Sequence, residues 1–548
     1  MRTWPVRVAI LATMALGTAS ASATAQQAAL PLPRPERTGF TETSRHADVL
    51  AFLDSLEAAG ARMERGTFGT TTNGLPLPYV VASRPLVRTP AEARASGRPV
   101  VFVQGNIHGG EVEGKEALQI LLRELLTDSA PNVLDSIVLL ALPIYNADGN
   151  ESWGDQERNR GSQNGPKVIG QRPNAQGLDL NRDYIKAESP EARASLAFLN
   201  AWDPHVMVDL HATNGSYHGY ELTYSPSLYP AAPAGQWTRA NILPELRRRF
   251  RDRHGMEAID YGNFGPGFGR DDPTSPEKGG WYTYEHVPRF GTNYYALRNR
   301  LSVLSEAYSH DPFHHRVAST RAFVTELLSL VAERAPEILR VTAELDTESA
   351  ALAMRDSVAI RGRMTSTPHR DTILVELLES TGDTVRTAPG VRAGFRRTGR
   401  VVPVEMDVYD SFDPAAWSVV PAAFALAGPD SSAIELLRRH GIELRQLSAE
   451  WRGEARVFLP DSIGVAPRPF QGHSMILPLE GSWEARSITL PAGSWIVPGA
   501  QRLARLATVL LHPQSDDGLT TWNHFDAVLE PGKPHPVVLL YELPGAGG

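Results

Sequence analysis

Apolar, β-forming runs alternate with helical segments in the first 345 residues, and this alternation limits the possible folds more than any other feature. The runs occupy 77–82, 99–105, 136–142, 205–210 and 300–307. Helical spacing of apolar residues follows the run at 99–105, and 190–202 is another helical segment. Continuous apolar runs are typical of strands buried between two layers of helices. The pattern therefore predicts an α/β/α sandwich around a mixed, largely parallel sheet.

The pattern of apolar runs and turn residues changes after about residue 346, which indicates a second domain. Short β-like runs are separated there by Pro, Gly and Asp turns, with one clear helix at 432–440. A chain of 548 residues also exceeds the usual length of a single domain. We predict a catalytic domain over 26–345 and a β-rich accessory domain over 346–548. The accessory domain is expected to shape the cleft, aid folding or hold the enzyme near its substrate.

The N-terminus has the pattern of a secretory signal peptide. Arg2 and Arg7 precede an apolar stretch at 8–16, and small residues lead from there to Ala23-Thr24-Ala25. We predict cleavage after Ala25 and a secreted or periplasmic protein, since the leader serves both destinations. No later run approaches the roughly 20 apolar residues that a membrane span needs, so no span is expected.

Composition and charge exclude several other classes of protein. The chain has no cysteine, which removes disulfides, thiol nucleophiles and cysteine-based metal sites. A formal charge of −8 gives no electrostatic reason to expect nucleic acid as a partner. The serine hydrolase pattern Gly-x-Ser-x-Gly and the metallopeptidase pattern His-Glu-x-x-His do not occur. Any metal must therefore be bound by histidines and carboxylates.

Three side chains at the ends of predicted strands form a candidate metal site. His108-Gly-Gly-Glu111 follows the run at 99–105, and the two glycines let the backbone turn sharply. His211 ends a second apolar run, where open α/β sheets bind ligands. Two histidines and one glutamate are suitable Zn²⁺ ligands and leave a fourth position open for water.

Glu306 ends another apolar strand and is the candidate general base. A glutamate is rarely buried without a partner, so its position requires an explanation. A simple ion pair with Arg298 or Arg300 is the alternative. Long loops at 145–180 and 255–298 lie on either side of the candidate chemistry, as functional loops often do.

Taken in order, these motifs resemble the zinc carboxypeptidase family over roughly 46–335. His-x-x-Glu is followed by Asn146-Ala-Asp-Gly149, which is similar to the family's Asn-Pro-Asp-Gly turn, and then by Asn181-Arg182. A strand-borne histidine and a strand-borne glutamate complete the order, and 294–308 is similar to the family segment with the catalytic glutamate. The resemblance is to a secreted bacterial member.

The resemblance implies a role for each matching residue. His108, Glu111 and His211 would bind one Zn²⁺, and Glu306 would activate water and return the proton to the leaving amine. Asn181 and Arg182 would hold the terminal carboxylate of a peptide or protein substrate. An arginine that polarises the scissile carbonyl would be Arg160, with Arg158 as the alternative. The mobile tyrosine of the family is one of Tyr282, Tyr284 and Tyr294.

Two other functions remain open at this point. A related zinc amidohydrolase that removes acyl groups from amino acids shares the metal ligands, and Asp209-Leu-His211 suits either enzyme. The Asn-x-Asp-Gly and Asn-Arg-Asp-Tyr segments favour the peptidase. A non-catalytic binding protein on the same scaffold is the third possibility. The sequence gives neither the preferred C-terminal residue of the substrate nor the oligomeric state.

Overall fold

The computed structural model describes residues 30–265, 278–426 and 431–545. The predicted signal peptide and its cleavage site after Ala25 lie outside the described residues. None of the helices in these ranges is both long enough and apolar enough to cross a bilayer.

The first part of the chain is built around a sheet of eight strands. The strands of this part of the chain are β1 (Glu64–Thr70), β2 (Pro76–Ala82), β3 (Val100–Gly105), β4 (Val138–Leu142), β5 (Gly154–Asp155), β6 (Val168–Ile169), β7 (Val206–Ala212), β8 (Leu222–Ser225), β9 (Ala258–Asp260), β10 (Asn263–Phe264), β11 (Trp281–Tyr282) and β12 (Leu301–Ala307). Eight of these strands form the large sheet, in the order β1-β2-β4-β3-β7-β12-β8-β9. The four central strands run parallel, whereas β1 with β2, β2 with β4, and β12 with β8 are antiparallel. The predicted mixed, largely parallel sheet is confirmed.

Helices cover both faces of this sheet. They are α1 (Arg34–Arg37), α2 (His46–Ala58), α3 (Pro90–Ala95), α4 (Glu113–Thr127), α5 (Ala147–Glu151), α6 (Gln156–Asn159), α7 (Pro190–Trp202), α8 (Pro233–Asn241), α9 (Leu243–His254), α10 (Gly291–Leu297), α11 (Phe313–Glu333) and α12 (Ala335–Ala350). On β3, Phe102 packs against Phe198 of α7 and Tyr295 of α10. On the opposite face, Leu210 of β7 contacts Gly114 of α4. Successive strand residues face opposite sides, so the sheet lies between two helical layers.

A close approach between α4 and β7 requires glycine at position 114. A Cβ added there would lie 2.5 Å from the Cβ of Leu210, which is shorter than any ordinary contact. Glycine therefore lets the start of α4 pack directly on the strand that ends near His211. This contact sets the distance between the two segments of the candidate site.

The apolar periodicity of residues 315–345 predicts one long helix, but this region forms two helices. α11 ends at Glu333, and α12 begins at Ala335 with Pro336 in its first turn. Proline has no N–H to donate and its ring clashes with the preceding turn, so it starts a helix better than it continues one. The apolar periodicity persists across the break, which is why the sequence pattern did not reveal it.

The later part of the chain is rich in strands, as predicted. Its elements are β13 (Ser357–Met364), β14 (His369–Ser380), β15 (Phe395–Tyr409), β16 (Phe412–Val419), β17 (Ala423–Leu426), β18 (Arg445–Gln446), β19 (Trp451–Pro460), β20 (Gly481–Leu490), β21 (Trp495–Pro498), β22 (Val537–Leu540), α13 (Ser431–Arg439) and α14 (Ala504–Leu511). A six-stranded sheet has the order β18-β21-β17-β22-β19-β20. Helix α14 was not predicted, and every one of its eight residues is buried.

The two parts of the chain share structure across residue 346. Strand β11 belongs to the long loop at 255–298, yet it pairs in parallel with β15. The largest hydrophobic core includes residues from both sides, such as Phe323, Phe424 and Leu506. The division into domains at 345 and 346 stays a prediction, and the β-rich part lies directly against the catalytic sheet.

Candidate active site

His211 and Glu306 lie side by side at the carboxyl ends of two parallel strands. In the register of β7 and β12, Glu306 is opposite His211 and Leu304 is opposite Asp209. Because side chains two residues apart share a face, all four project from the same side of the sheet. This edge of an open parallel sheet is where ligands bind.

His108 and Glu111 are presented by a tight turn that follows β3. Asn106 has a positive φ of 63°, and its side-chain amide donates to the backbone carbonyls of His108, Gly109 and Glu111 at 3.0–3.2 Å. A Cβ on Gly109 would lie 2.2 Å from the carbonyl carbon of Gly149. The Asn146-Ala-Asp-Gly149 turn thus packs against the glycine and supports the two side chains from behind.

The side chains of His108, Glu111 and His211 converge as ligands around a metal ion do. One ligand atom from each lies within 4.8 Å of the others, and all three residues are buried. The Nδ1 atoms of the two histidines are 3.2 Å apart, and each lies 2.9–3.0 Å from a carboxylate oxygen of Glu111. Neighbouring ligand atoms of a tetrahedral zinc with bonds of about 2.0–2.1 Å are about 3.3 Å apart. The residue types and the spacing both fit zinc.

A carboxylate lies close to the other ring nitrogen of each histidine. Asp209 Oδ2 lies 3.0 Å from His211 Nε2, and Asp179 Oδ1 lies 3.2 Å from His108 Nε2. Such outer carboxylates fix the tautomer and the orientation of metal-binding imidazoles. Neither aspartate was singled out as a site residue from the sequence. The spacing Asp209-Leu-His211 on a strand was the available signal, since residues two apart share a face.

The charges of this group favour a bound cation. Burial opposes ionisation of Glu111, but Arg160 and the histidines lower the pKa of its carboxyl well below the usual value. Burial also opposes the imidazolium of His211, but Asp209 and Glu111 raise the pKa of His211 well above the usual value. A metal ion bound by these residues would compete with the proton of His211.

Glu306 faces the same cavity and is not used in an ion pair with the predicted arginines. Arg298 donates to Tyr294, the carbonyl of His440 and Asn200, and Arg300 pairs with Asp203 and Asp346. Among the described residues, Glu306 Oε2 has no hydrogen-bond partner. Burial raises the pKa of the Glu306 carboxyl to about 8, against the opposing effect of His211 and two arginines. A carboxyl with this pKa exchanges protons near neutral pH.

The arginines of the loop occupy different positions from those expected. Arg160 Nη1 lies 2.6 Å from Glu111 Oε1, and its Nη2 donates to the carbonyls of Ala212 and Thr213. Arg158 is exposed on α6. Arg172, which belongs to none of the sequence motifs above, lines the cavity with Glu306. Its only sequence signal was a position seven residues before Asp179 in the same loop.

The cavity also contains the predicted carboxylate-binding pair. The guanidinium of Arg182 lies 3.7 Å from the centroid of the Phe290 ring. Asn181 Oδ1 accepts a hydrogen bond from the backbone N–H of Gly291 at 3.0 Å. The cavity is lined by His108, Glu111, Arg172, Asn181, Arg182, His211, Asn214, Tyr261, Tyr284, Phe290, Thr292, Leu304 and Glu306. Six of the seven predicted site residues thus meet in one cavity, and Arg160 lies behind Glu111.

The three candidate tyrosines are in different environments. Tyr284 lines the cavity. Tyr282 stacks on Tyr409 with the ring centroids 4.2 Å apart. Tyr294 is fully buried, and its hydroxyl is 2.8 Å from His440 Nδ1. Of the three, Tyr284 is the one that borders the cavity with Glu306.

Comparison with known families agrees with this geometry. The family model described as zinc carboxypeptidase matches residues 49–264, which contain His108, Glu111, Asn181, Arg182 and His211. Over this segment the chain matches the zinc carboxypeptidase family. It is therefore a hydrolase of the metallocarboxypeptidase class, whose members use zinc and act on peptides. Glu306 lies beyond the matched segment, so its role rests on the strand register and the cavity.

Several proteins of this family are similar to the chain. Carboxypeptidase 2 from Trichophyton equinum is 22% identical over 506 residues, covering 90% of this chain and 86% of the relative. Carboxypeptidase D from Mus musculus is 29% identical over 198 residues, covering 32% of this chain and 14% of the relative. The crystal structure of a metallo-carboxypeptidase from Burkholderia cenocepacia has 17% identity and a TM-score of 0.38, covering 52% of this chain and 68% of that chain.

Proposed function

We propose that the protein is a zinc-dependent carboxypeptidase that binds one zinc per chain and hydrolyses the C-terminal peptide bond of its substrates. One observation carries this proposal: the metal-binding triad, an unpaired buried carboxyl and an Asn-Arg pair line the same cavity. Hydrolysis next to a free C-terminus needs a metal site, a proton acceptor and a carboxylate-binding group, all within about the length of one residue. The binding-protein alternative gains no support from a site with this chemistry.

Glu306 is the proposed general base and acid. Its buried carboxyl, with a pKa of about 8, is suited to taking a proton from water and returning it to the leaving amine near neutral pH. Bound zinc, held by His108, Glu111 and His211, would supply Lewis acidity towards a carbonyl and a more acidic water. Asp209 and Asp179 keep the two imidazoles oriented for that role.

Two arginines and an asparagine are proposed to bind the substrate on either side of the scissile bond: at its terminal carboxylate and at the scissile carbonyl. Arg182 and Asn181 are proposed to hold the terminal carboxylate, because a guanidinium donates two parallel hydrogen bonds to it. For the arginine that stabilises the developing oxyanion, the cavity supports Arg172, which lines it although its guanidinium also pairs with Asp179 at 2.8 Å. Arg160 was expected in that role, but its guanidinium donates to Glu111 and two backbone carbonyls.

The place of action is a separate proposal that rests on the sequence of the N-terminus. We propose an exported bacterial enzyme that is cleaved after Ala25 and acts in the periplasm or the medium. N-terminal sequencing of the protein recovered after export by a bacterial host tests this. A mature chain that begins at Gln26 is the expected result, and an uncut chain retained in the cytoplasm contradicts it.

Metal content and peptide trimming on matched proteins test the catalytic proposal. The wild type is expected to hold about one zinc per chain and to remove residues one at a time from the C-termini of a peptide mixture. Glu306→Gln should keep the metal and lose about 10²–10⁴-fold in rate. His108→Ala should lose both metal and activity, whereas Glu454→Gln, an exposed glutamate, should resemble the wild type.

Mass spectrometry of the products separates the alternatives. Successive single-residue losses from the C-terminus support the carboxypeptidase. Hydrolysis of N-acetyl amino acids without peptide trimming would favour the amidohydrolase. A zinc-loaded protein that hydrolyses neither class of compound would contradict the proposed catalysis and return the binding role to consideration.

A further inference from the structure

The β14–β15 hairpin of the β-rich region lies against the loops that follow β7 and β12. Two of its contacts are made by backbone atoms alone. The N–H of Gly219 donates to the carbonyl of Leu374 at 2.8 Å, and the N–H of Glu376 donates to the carbonyl of Tyr217 at 3.1 Å. The hairpin is thus joined to the loop that follows the metal-binding residue His211.

Glu376 is the residue of this hairpin whose position requires an explanation. Only 4% of its surface is exposed, and a buried charge is unfavourable unless it is paired and hydrogen-bonded. Arg397 Nε donates to one carboxylate oxygen at 2.5 Å, and the hydroxyl of Tyr308 donates to the other at 2.5 Å. Hydrogen bonds to a charged group are roughly twice as strong as neutral ones. Glu376 therefore binds firmly to the residue two positions after Glu306.

An irregularity in the hairpin makes this pair of contacts possible. Glu376 is opposite Val401 on β15, whereas two residues further along β14 the opposite residue is Arg397. Such shifts in register redirect side chains and are frequent next to active sites. With the shift, Arg397 reaches Glu376 with Nε and the backbone carbonyl of His310 with Nη1, the latter at 2.6 Å. One guanidinium thus connects the buried carboxylate to the segment after β12.

His310 joins the two loops to each other and to the hairpin. Its Nδ1 lies 2.8 Å from the carbonyl oxygen of Gly390, in the connection between β14 and β15. Its Nε2 lies 3.0 Å from the carbonyl oxygen of Gly215, in the loop after β7. The imidazole also stacks on Tyr217, with the ring centroids 4.0 Å apart. The segment after β12 is therefore held from several sides.

The direction of the Glu306 carboxyl depends on the backbone of this segment. Within the part of the chain that the structure describes, Glu306 Oε2 has no hydrogen-bond partner that could fix its direction. The pairing with β8 continues one residue past β12, since the N–H of Tyr308 donates to the carbonyl of Glu221 at 3.0 Å. Side chains two residues apart on a strand project from the same side. A displacement of Tyr308 would therefore shift the strand end that presents Glu306.

We propose that Glu376 is a positioning residue for catalysis: through Tyr308 and Arg397 it holds the end of β12 so that the Glu306 carboxyl points into the active-site cavity. This inference rests on the proposed carboxypeptidase function, in which Glu306 transfers the proton. Glu376 is absent from the described residues that line the cavity, so it acts on the reaction only through the position of Glu306. Misplacing a reacting group by about 1 Å can lower a rate about 100-fold.

The test measures kcat and KM with the peptide that the zinc-loaded wild type trims fastest. Glu376→Ala should lower kcat about 10–100-fold with little change in KM or zinc content, because the groups that bind substrate and metal remain. Tyr308→Phe removes the hydroxyl alone and should lower kcat about 3–10-fold. Glu376→Gln should stay within about threefold of the wild type, because its amide oxygen accepts from Arg397 and its NH₂ group donates to the hydroxyl of Tyr308.

Two controls on the same hairpin separate positioning from stability. Met406 is buried on β15, near the opposite end of that strand from Arg397. Met406→Ala leaves a cavity in the packing of the hairpin and should lower Tm while kcat is retained. Glu379 forms an exposed ion pair with Arg396, and Glu379→Ala should resemble the wild type. Neither change removes a contact of Glu376.

Hydrogen exchange provides a measurement that does not depend on activity. The backbone amides of residues 308–311 should exchange faster in Glu376→Ala than in the wild type or in Met406→Ala, because the segment loses its contact with the hairpin. Unchanged exchange in Glu376→Ala overturns the inference, whether or not the protein hydrolyses peptides.

The kinetic outcomes distinguish this inference from the proposed function. Peptide trimming with the same kcat in the wild type and Glu376→Ala overturns the positioning role and leaves the carboxypeptidase proposal intact. Equal losses in Glu376→Gln and Glu376→Ala overturn it as well, because the charge of Glu376 and not its hydrogen bonds would then matter. A loss of the same size in Met406→Ala would reduce the effect to stability. A zinc-loaded wild type that trims no peptide contradicts the proposed function itself.

Discussion

Gln471 Oε1 accepts a hydrogen bond from the backbone N–H of Asp179 at 2.8 Å. Asp179 in turn lies 3.2 Å from His108 Nε2, so the β-rich region reaches the predicted metal site through one intermediate residue. Gln471 has a positive φ of 51°, a backbone conformation that is uncommon outside glycine and is maintained by its surroundings. The contact links the β-rich region to a site whose ligands lie within the first 211 residues.

The first prediction concerns this contact. Gln471→Ala keeps a side chain at the same backbone position and leaves the N–H of Asp179 without its acceptor. The dissociation constant for zinc should rise about 2–10-fold, less than the roughly 10–100-fold expected for Asp179→Asn, which acts on His108 directly. Competition with a chelator measures both.

The control for this prediction is Gln446→Ala, an exposed glutamine in the same region. The double variant Gln471→Ala with Asp179→Asn should show less than the sum of the two effects, because both changes act on one chain of contacts. Equal zinc affinity in the wild type and Gln471→Ala would mean that the contact stabilises the fold alone.

The second prediction separates the roles of two arginines. In enzyme saturated with zinc, Arg172→Ala should lower kcat/KM about 10²–10³-fold, the usual cost of removing one oxyanion donor. Saturation is needed because Arg172 also pairs with Asp179 at 2.8 Å. Arg160→Ala should weaken zinc binding or stability instead, because Glu111 loses a guanidinium at 2.6 Å. Arg158→Ala, on an exposed residue of the same loop, should resemble the wild type. The opposite pattern, with zinc intact and activity lost only in Arg160→Ala, would return the oxyanion role to Arg160.

The third prediction concerns pH and the packing of the β-rich region. His473 Nε2 lies 2.6 Å from Glu188 Oε1. The hydrogen bond to Glu188 raises the pKa of His473 above 6.5. Burial opposes ionisation of Glu188, but His473 and Lys186 lower the pKa of Glu188 to about 2. The stabilisation by charged His473 is thus complete below its unfolded pKa and is lost as pH rises through its raised folded pKa.

Thermal unfolding of the wild type and His473→Gln measures this effect. The difference in Tm should be larger near pH 6 than near pH 9, where the unfolded and folded imidazoles are both neutral. The low pKa of Glu188 keeps that carboxylate charged across this window, so the histidine alone sets the change. His314→Gln, on an exposed histidine of α11, is the control. A Tm difference that does not vary with pH would contradict a charged pair.

The fourth prediction concerns the packing of α4 on β7. Gly114→Ala places a methyl group 2.5 Å from the Cβ of Leu210, so the helix or the strand must move. We expect a loss of about 1–3 kcal/mol in the free energy of unfolding, the usual range for overpacking. Chemical denaturation measures it. Gly464→Ala, whose added methyl group meets its nearest atom at 3.4 Å, should have a much smaller effect.

The local pattern of the sequence predicted the central sheet and residues that the structure brings to one cavity. A long apolar run is expected to form a buried strand, and a polar residue at its end lies at the carboxyl end of that strand. His211 and Glu306 could therefore be predicted together with the strands that present them. His108 and Glu111 followed from the turn after β3, and Asn181 with Arg182 from the family's motif order. The break after α11 was missed, because the apolar periodicity continues across the proline that starts α12. The short, fully buried helix α14 was missed as well.

The sequence alone determined which residue types were available: histidines and carboxylates as ligands, no thiols, and glycines where the backbone must turn or approach another strand. Only the tertiary structure decided which loop arginine faces the cavity, since Arg158, Arg160 and Arg172 have the same chemistry and lie in one irregular loop. Likewise, the pairing of β11 with β15 and the contact of Gln471 with Asp179 join residues far apart in the chain. Such contacts depend on how separate elements pack in three dimensions, and no local periodicity encodes them.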